Sequence, residues 1–287
     1  MARDGEVASN HAVIGGQPIY LDELMNPKYL RESEITALRE QLYGAAPFAH
    51  LVIDDLFSKP LLEEMSKEYD QLALKNWKLS EHAREDRRGT LPYARMGHAT
   101  DLYFQTLYST RFLHFMMQLT GVPDLVTDPS LLNGGLHDVP TGGRFDIHID
   151  YTHHPVTGLA NRLVMITYLN KDWKADYGGQ LELWNAVTKA CDVSIVPEFG
   201  RTIMFMNGPT ALHGCPRPIA EPAGRSRRSA AAYFYSPDRG QAETPHYTQY
   251  LEAAKPHAGV MRSIRPFVPP ILLDGVRRLK SLMSRKN

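Results

Sequence analysis

The sequence feature that most constrains this chain is the tripeptide His148-Ile149-Asp150, followed far downstream by His213. Residues at positions i and i+2 of a β-strand point to the same side, so the imidazole of His148 and the carboxylate of Asp150 can reach one metal ion. His213 follows the apolar segment 202–206, which favours its arrival at the same ion from another strand end. Two imidazoles and one carboxylate leave the opposite positions of the ion open, and this arrangement suits non-haem Fe(II) and oxygen activation.

Length, charge and cysteine content restrict the class of protein. The chain has 287 residues with 43% apolar content, enough to bury a large core as one extended domain. Lys plus Arg (32) equals Asp plus Glu (32), so we expect no nucleic-acid role. Cys191 and Cys215 are too few for a disulfide framework, which favours a reducing cytoplasm. The N-terminus has no apolar signal-peptide core and no stretch approaches the roughly 20 apolar residues of a membrane span, so we predict a soluble cytoplasmic protein.

Residues 20–125 predict a helical support region. Its helices are interrupted by a short strand over residues 48–53, and Ser58-Lys59-Pro60 has the capping serine and early proline of a helix start. A further helix is predicted over residues 101–119. The charged segment 80–97 is typical of a solvated loop, although the aromatic and basic residues from Trp77 to Arg95 can also form a lid over a substrate.

After Ser130 the pattern changes to short β-type segments separated by glycine, proline and aspartate. We predict strands over residues 131–137, 145–149, 162–169, 180–184, 202–206 and 228–235. This density of strands favours a sandwich or barrel over residues 126–240, with the N-terminal helices covering its outer face. We therefore expect a single domain spanning residues 1–287.

The motifs of this second half occur in a characteristic order. The series is His148-Ile149-Asp150, Tyr168-Leu169-Asn170, Gly178-Gly179-Gln180-Leu181, His213 and a downstream basic residue. Over roughly residues 131–236 it resembles the Fe(II)- and 2-oxoglutarate-dependent oxygenases, in particular their prolyl-4-hydroxylase-like branch. The resemblance implies a mainly β protein with a double-stranded β-helix, a jelly-roll or cupin-like core. It also implies Fe(II), 2-oxoglutarate and O2 as cofactors, with His148, Asp150 and His213 as the metal ligands and the catalytic centre.

The family places a basic residue shortly after the distal histidine, where it binds the far carboxylate of 2-oxoglutarate. A guanidinium suits this task because it can bind a carboxylate through two parallel hydrogen bonds. Three arginines are candidates here, Arg225, Arg227 and Arg228. The spacing to the small-and-aromatic segment that follows favours Arg227, while strand alternation sends Arg228 to the opposite face and Arg225 lies in the preceding turn.

Other polar residues have a functional and a structural interpretation. Tyr168 matches a family position whose phenol contacts the same carboxylate, and Asn133 is expected on the strand before the metal strand, where it can contact 2-oxoglutarate or substrate. Residues that can serve the site or only the fold are Arg162, Asn170, His137 and Cys215. His153 and His154 follow Asp150 closely but have no carboxylate at ligand spacing, so we do not expect them to bind the metal.

The resemblance implies hydroxylation of an unactivated C–H bond, with 2-oxoglutarate converted to succinate and CO2. Asp150 occupies the position that related halogenases fill with a small residue, so hydroxylation is favoured over halogenation; desaturation, epoxidation and ring formation stay open. The substrate is a small molecule, an amino acid or a peptide. Two alternatives are a metal-dependent hydrolase or cupin-like enzyme with the same three ligands, and a non-catalytic binding protein.

The last residues form a separate appendage, 260–287, in which a proline-rich segment (266–270) precedes an amphipathic stripe over 271–287. This stripe can lie on an anionic membrane surface, contact a second copy of the chain, or pack on its own domain.

Overall fold

A computed structural model describes residues 10–82, 84–220, 225–238 and 244–251. The described residues up to Tyr250 belong to one compact unit. The C-terminal appendage lies outside the described residues, so its amphipathic helix and its membrane or dimer contact stay predictions. Within the described ranges, no helix combines the length and the apolar character that a membrane crossing requires.

β-Strands make up most of the regular structure. They are β1 (His11–Ile14), β2 (Gln17–Tyr20), β3 (His50–Ile53), β4 (Trp77–His82), β5 (Glu85–Thr90), β6 (Val126–Thr127), β7 (Gly135–Pro140), β8 (Phe145–Ile149), β9 (Ala160–Tyr168), β10 (Leu181–Trp184), β11 (Cys191–Ile195), β12 (Thr202–Met206), β13 (Leu212–Cys215), β14 (Ser226–Ser236) and β15 (Gln249–Tyr250). β1 and β2 form a separate hairpin. The others form one antiparallel sheet in the order β11-β10-β13-β8-β5-β7-β14-β9-β12-β3, with β4 paired to β5, β6 to β14 and β15 to β8.

This sheet turns back on itself at β5, which joins β7 on one side to β8 on the other. The turn divides the sheet into two halves, β7-β14-β9-β12 and β8-β13-β10-β11. Side chains from both halves meet between them, because Val164, Leu183 and Phe205 belong to one buried cluster. The predicted double-stranded β-helix is confirmed.

In the described part of the chain, four α-helices accompany the sheet: α1 (Glu32–Gly44), α2 (Lys59–Gln71), α3 (His98–Tyr108) and α4 (Thr110–Thr120). In α4, Phe112, Phe115 and Leu119 are buried at helical spacing. They share one core with Ala230 and Phe234, which lie on the outer face of β14. The helices therefore cover the outer face of the sheet, as predicted, and the inner face is left to contact the other half of the sheet.

Two helix predictions need adjustment. The predicted helix over residues 101–119 is two helices, because Ser109 ends α3 and begins α4, where its hydroxyl accepts a hydrogen bond from the Phe112 N–H at 3.2 Å. The left-handed Gly121 (φ 69°) ends α4. α2 begins at Lys59 as predicted, but the Ser58 side chain makes no capping hydrogen bond.

The predicted solvated loop over residues 80–97 is wrong in its first part, because β4 and β5 pair as antiparallel strands. Residues 91–97 have no helix or strand, as predicted. β5 carries charged residues on both faces and so lacks the apolar alternation that signals a strand. Its charges are paired instead, since Arg88 forms an ion pair with the buried Asp138 of β7. The short strands β11 and β13 were also missed; β13 has only four residues.

Candidate metal centre

His148 lies on β8 and His213 lies directly opposite it on β13. Asp150 follows β8 at the same-face position that the sequence predicts. His148 Nε2 is 3.3 Å from Asp150 Oδ1, and His213 Nε2 is 3.7 Å from Asp150 Oδ2. One ligand atom from each residue falls within 4.8 Å of the others, and among the described residues this is the one such histidine, cysteine and carboxylate group. All three side chains are buried.

The backbone fixes the orientation of both imidazoles. His148 Nδ1 is 2.9 Å from the Asp146 carbonyl oxygen, and His213 Nδ1 is 2.9 Å from that of Ala211. A carbonyl can only accept, so each Nδ1 carries the proton and each Nε2 has its lone pair available. A metal-binding histidine needs this arrangement, and here each Nε2 faces the Asp150 carboxylate.

The protonation states also suit a metal. Burial, together with the neighbouring His148, lowers the pKa of His213 to about 4 against the opposing effect of Asp150. Burial acts to raise the pKa of Asp150, but His213, His148 and Arg87 lower it more, and the net pKa lies below the ordinary value. At neutral pH the centre therefore offers a neutral His213 imidazole and an ionised carboxylate.

Aromatic rings enclose the two histidines. The centroid of Phe145 is 4.1 Å from that of His148, and Phe205 is 4.4 Å from His213. Tyr250 of β15 lies 5.8 Å from His148 on another side. These rings keep water away from the centre and strengthen the electrostatic interactions inside it.

Arg227 and Tyr168 meet on the inner side of the sheet, as the strand alternation predicts. Arg227 Nη2 donates to the Tyr168 hydroxyl at 2.9 Å, and its Nε donates to the Gly179 carbonyl at 2.6 Å. Both side chains are buried. Burial raises the pKa of Tyr168, so the phenol stays protonated and keeps a proton to donate.

The other two arginines point elsewhere. Arg228 Nη2 donates to Asp70 of α2 at 2.5 Å, on the outer face of β14. Arg225 is exposed and donates to the Lys171 carbonyl at 2.5 Å. The predicted opposite orientations of Arg227 and Arg228 are therefore confirmed.

Asn133 is misplaced by the sequence analysis. It precedes β7 in an exposed turn with a left-handed backbone (φ 62°), and β7 begins only at Gly135. The predicted strand position of Asn133 is wrong, whereas its contact with 2-oxoglutarate or substrate stays a prediction. His137, two residues into β7, reaches the inner face instead, where it lies close to Arg87 and Arg227.

The remaining candidates lie apart from the His148–Asp150–His213 group. The Asn170 amide binds the Pro197 and Arg228 carbonyls, and Arg162 donates to the Ser236 hydroxyl, so both residues hold loops in place. His154 pairs with Asp128, and His153 pairs with Asp238. Cys215, in contrast, is buried close enough to Arg227 for that guanidinium to act on the pKa of its thiol.

Sequence reasoning missed two residues of this centre. The Tyr233 phenol, on the inner face of β14, is buried close enough to Asp150 for the carboxylate to raise the pKa of the phenol, in addition to the larger effect of burial. Arg87 of β5 lies over the Phe145 ring at 4.6 Å. Tyr233 has a weak signal, because it falls at an even spacing from Arg227 on the same strand. Arg87 has none, because its segment has no strand pattern.

The segment that contains the three proposed metal ligands and Arg227 is similar to a known protein family. Residues 134–235, from the start of β7 to the end of β14, match the family described as the 2OG-Fe(II) oxygenase superfamily. The part of the chain that carries the candidate metal centre is therefore similar to this superfamily. The predicted enzyme class, a 2-oxoglutarate-dependent non-haem iron dioxygenase, and the predicted cofactors of this oxygenase are confirmed with the family.

Solved structures support the fold of the oxygenase. A Pseudomonas putida prolyl-4-hydroxylase shares 16% identity, with a TM-score of 0.51 over 69% of this chain and 98% of that one. A Trichoplax adhaerens prolyl hydroxylase, solved with a hypoxia inducible factor peptide fragment, shares 16% identity, with a TM-score of 0.50 over 71% and 90%. A Burkholderia pseudomallei oxidoreductase of the 2OG-Fe(II) oxygenase family shares 10%, with a TM-score of 0.50 over 71% and 94%. No curated protein sequence matches the chain.

Proposed function

We propose that this oxygenase is a hydroxylase in which His148, Asp150 and His213 bind Fe(II) and Arg227 binds the far carboxylate of 2-oxoglutarate. The observation that carries the proposal is the state of Arg227. Its guanidinium is buried on the inner face of the sheet near Cys215, yet among the described residues it forms no ion pair and hydrogen-bonds only to Tyr168 and the Gly179 carbonyl.

A buried cation without a counter-ion is unfavourable, because desolvation of the charge is not offset by an opposite charge. The two partners of Arg227 orient its fork without neutralising it. A dicarboxylate cosubstrate supplies the missing charge, and the Tyr168 hydroxyl can donate to the same carboxylate while it accepts from Arg227. The arrangement thus fits a ligand with an acidic group at the end remote from the metal.

The donor set fits Fe(II), because two imidazole nitrogens and one carboxylate on one side of an ion match the facial arrangement of non-haem iron. With 2-oxoglutarate and O2, bound iron would supply the conversion of one C–H bond to C–OH, one oxygen atom entering the alcohol and the other entering succinate as CO2 leaves. The residues of the chain hold this chemistry in place. Backbone carbonyls fix the His148 and His213 rings, and both rings face the Asp150 carboxylate.

Asp150 also favours hydroxylation, since a carboxylate there fills the position that halogenases of the family leave for chloride. The substrate would be a small molecule, an amino acid or a peptidyl side chain. A metal-dependent hydrolase or cupin-like enzyme could use the same three ligands but would have no use for the unneutralised Arg227.

The experiment is calorimetric titration of the Fe(II)-loaded protein with 2-oxoglutarate under anaerobic conditions. Replacement of Arg227 by Gln should weaken binding about 10- to 100-fold, the value of a charge-assisted hydrogen bond to a carboxylate. The matched control is Arg228→Gln, the neighbouring arginine on the outer face, which should keep the wild-type affinity. Unchanged affinity in Arg227→Gln would contradict the proposed binding mode.

A further inference from the structure

A second arginine, Arg87 of β5, faces the metal centre. Its guanidinium carbon lies 4.6 Å from the centroid of the Phe145 ring, and that ring lies 4.1 Å from the ring of His148. Arg87 is close enough to act on the ionisation of Asp150 and of Tyr233. Arg87 therefore lies next to the three proposed ligands, separated from His148 by the Phe145 ring.

The orientation of Arg87 is fixed by a single partner. Its Nε binds Glu85 Oε1 at 2.5 Å, and Glu85 Oε2 accepts from the Tyr250 hydroxyl at 3.1 Å. Glu85 is buried, whereas the Arg87 side chain is 20% exposed. Within the described residues, neither Nη1 nor Nη2 of Arg87 has a hydrogen-bond partner. The guanidinium is thus held from behind, with two parallel donors available on its free edge.

The two inner arginines are separate. Arg227 is anchored on β14 by Gly179 and Tyr168, and Arg87 is anchored on β5 by Glu85. His137 of β7 lies near both, since the two guanidiniums help to lower its pKa. 2-Oxoglutarate has two carboxylates, of which one would bind Arg227 and the other would lie at the iron. The donors of Arg87 are left for a different molecule.

We propose that Arg87 binds a carboxylate of the primary substrate, so that this enzyme hydroxylates a small organic acid. This inference rests on the proposed function. The fork of a guanidinium matches the two oxygens of a carboxylate. A singly charged carboxylate fits better than a doubly charged phosphate, because the Glu85 and Asp150 carboxylates already lie near Arg87 and would repel the extra charge.

The covering of the centre also favours a small substrate. The three proposed ligands are each 5% exposed or less, and both β5 and β15 pair with the metal strand β8. An extended peptide binds along an exposed sheet edge or in an open groove, and β8 is paired to β13 on one side and to β5 and β15 on the other. A small acid needs only a pocket beside the Arg87 fork.

The test uses Fe(II)-loaded protein with saturating 2-oxoglutarate and measures O2-dependent succinate release. The probes are the protein amino acids and simple aliphatic and aromatic carboxylic acids. Each acid is compared with its primary amide, which lacks the carboxylate charge. Phosphate monoesters and a peptide with blocked termini are tested as alternative substrates. We expect an acid to stimulate succinate release and its amide not to. In Arg87→Gln the concentration of that acid that gives half-maximal succinate release should rise at least about tenfold, and in Arg87→Lys the rise should be smaller.

The control is Lys78→Gln, which removes one positive charge from an exposed position of the same hairpin and should behave as wild type. The inference would be overturned if acid and amide stimulated succinate release equally, if only the peptide or the phosphate esters stimulated it, or if no acid did. It would also be overturned if the half-maximal acid concentration were unchanged in Arg87→Gln. Loss of 2-oxoglutarate binding in Arg87→Gln would also overturn it, because Arg87 would then serve the cosubstrate. Failure of the proposed function is distinguishable, since the wild-type protein would then not bind 2-oxoglutarate at all.

Discussion

Arg227 Nη2 lies 2.9 Å from the phenolic oxygen of Tyr168, and the guanidinium carbon lies 4.8 Å from the centroid of the same ring. The two residues lie on neighbouring strands, β14 and β9, so the sheet itself sets their spacing. The contact positions the cation and leaves its charge unneutralised. A fixed charge of this kind beside a metal centre is suited to a bound dicarboxylate.

Replacement of Tyr168 by Phe removes a donor from the proposed carboxylate site and keeps the ring that packs against Arg227. We expect 2-oxoglutarate binding to weaken roughly 5- to 50-fold, between the value of a neutral and of a charge-assisted hydrogen bond. Anaerobic calorimetry measures this. The control is Tyr177→Phe, at a tyrosine without a hydroxyl contact to Arg227. Equal affinities of the two variants for 2-oxoglutarate would count against the role of the Tyr168 phenol.

Removal of a proposed ligand should abolish metal binding and leave the fold intact, because strand pairing and apolar packing form the core without the metal. His148→Ala and Asp150→Ala should each retain wild-type circular dichroism and lose stoichiometric Fe(II). His114→Ala, at an exposed position of α4, should retain both. Unfolding of both ligand variants would show that the centre is structural.

Acidification should destabilise the metal-free protein. Burial, with Arg87 and Arg227 nearby, lowers the pKa of His137 to about 3 from an ordinary 6.5. Between pH 6.5 and about 3 the unfolded chain binds more protons at this histidine than the folded chain does. The free energy of unfolding therefore falls as the pH drops below about 6.5. Urea midpoints measured at several pH values should fall accordingly, less steeply in His137→Gln than in the wild type. His213, with a pKa of about 4, should account for part of the pH dependence that remains in His137→Gln. Urea midpoints that depend equally on pH in the two proteins would refute the role of His137.

The contact between β14 and the helices should dominate stability on the outer face of the sheet. Phe234 is fully buried, and its ring stacks on Phe112 of α4 with centroids 6.2 Å apart. Phe234→Ala should lower the free energy of unfolding by about 3–5 kcal/mol. The control Val187→Ala, at a side chain that is 90% exposed, should change it by no more than about 0.5 kcal/mol. Urea denaturation compares them, and a similar loss in both variants would be inconsistent with this packing.

The residues that the sequence places correctly are those that follow local rules. His148 and Asp150 share a face because side chains alternate along a strand, and the same alternation separates Arg227 from Arg228. The apolar segments of β8 and β12 gave strand boundaries that agree with the structure. Local periodicity and ligand chemistry were sufficient for this part of the site.

The residues that the sequence misplaces depend on non-local contacts or on an unusual backbone. β5 consists of polar residues whose charges are satisfied only by distant partners such as Asp138, so no local pattern identifies it. Asn133 adopts a left-handed conformation that delays the start of β7, and asparagine tolerates this better than most residues. Arg87 could therefore not be assigned to the site until the pairing of β5 with β7 and β8 was known.

We expect one site of this protein to bind iron and 2-oxoglutarate together. Anaerobic titration of the Fe(II)-loaded protein with 2-oxoglutarate tests this expectation directly through the weak visible metal-to-ligand charge-transfer band of the keto acid chelate. The band should appear in the wild type and be absent in His213→Ala. Absence of the band in wild-type protein that demonstrably holds iron would contradict this expectation and would favour a hydrolase or cupin-like enzyme with the same three ligands.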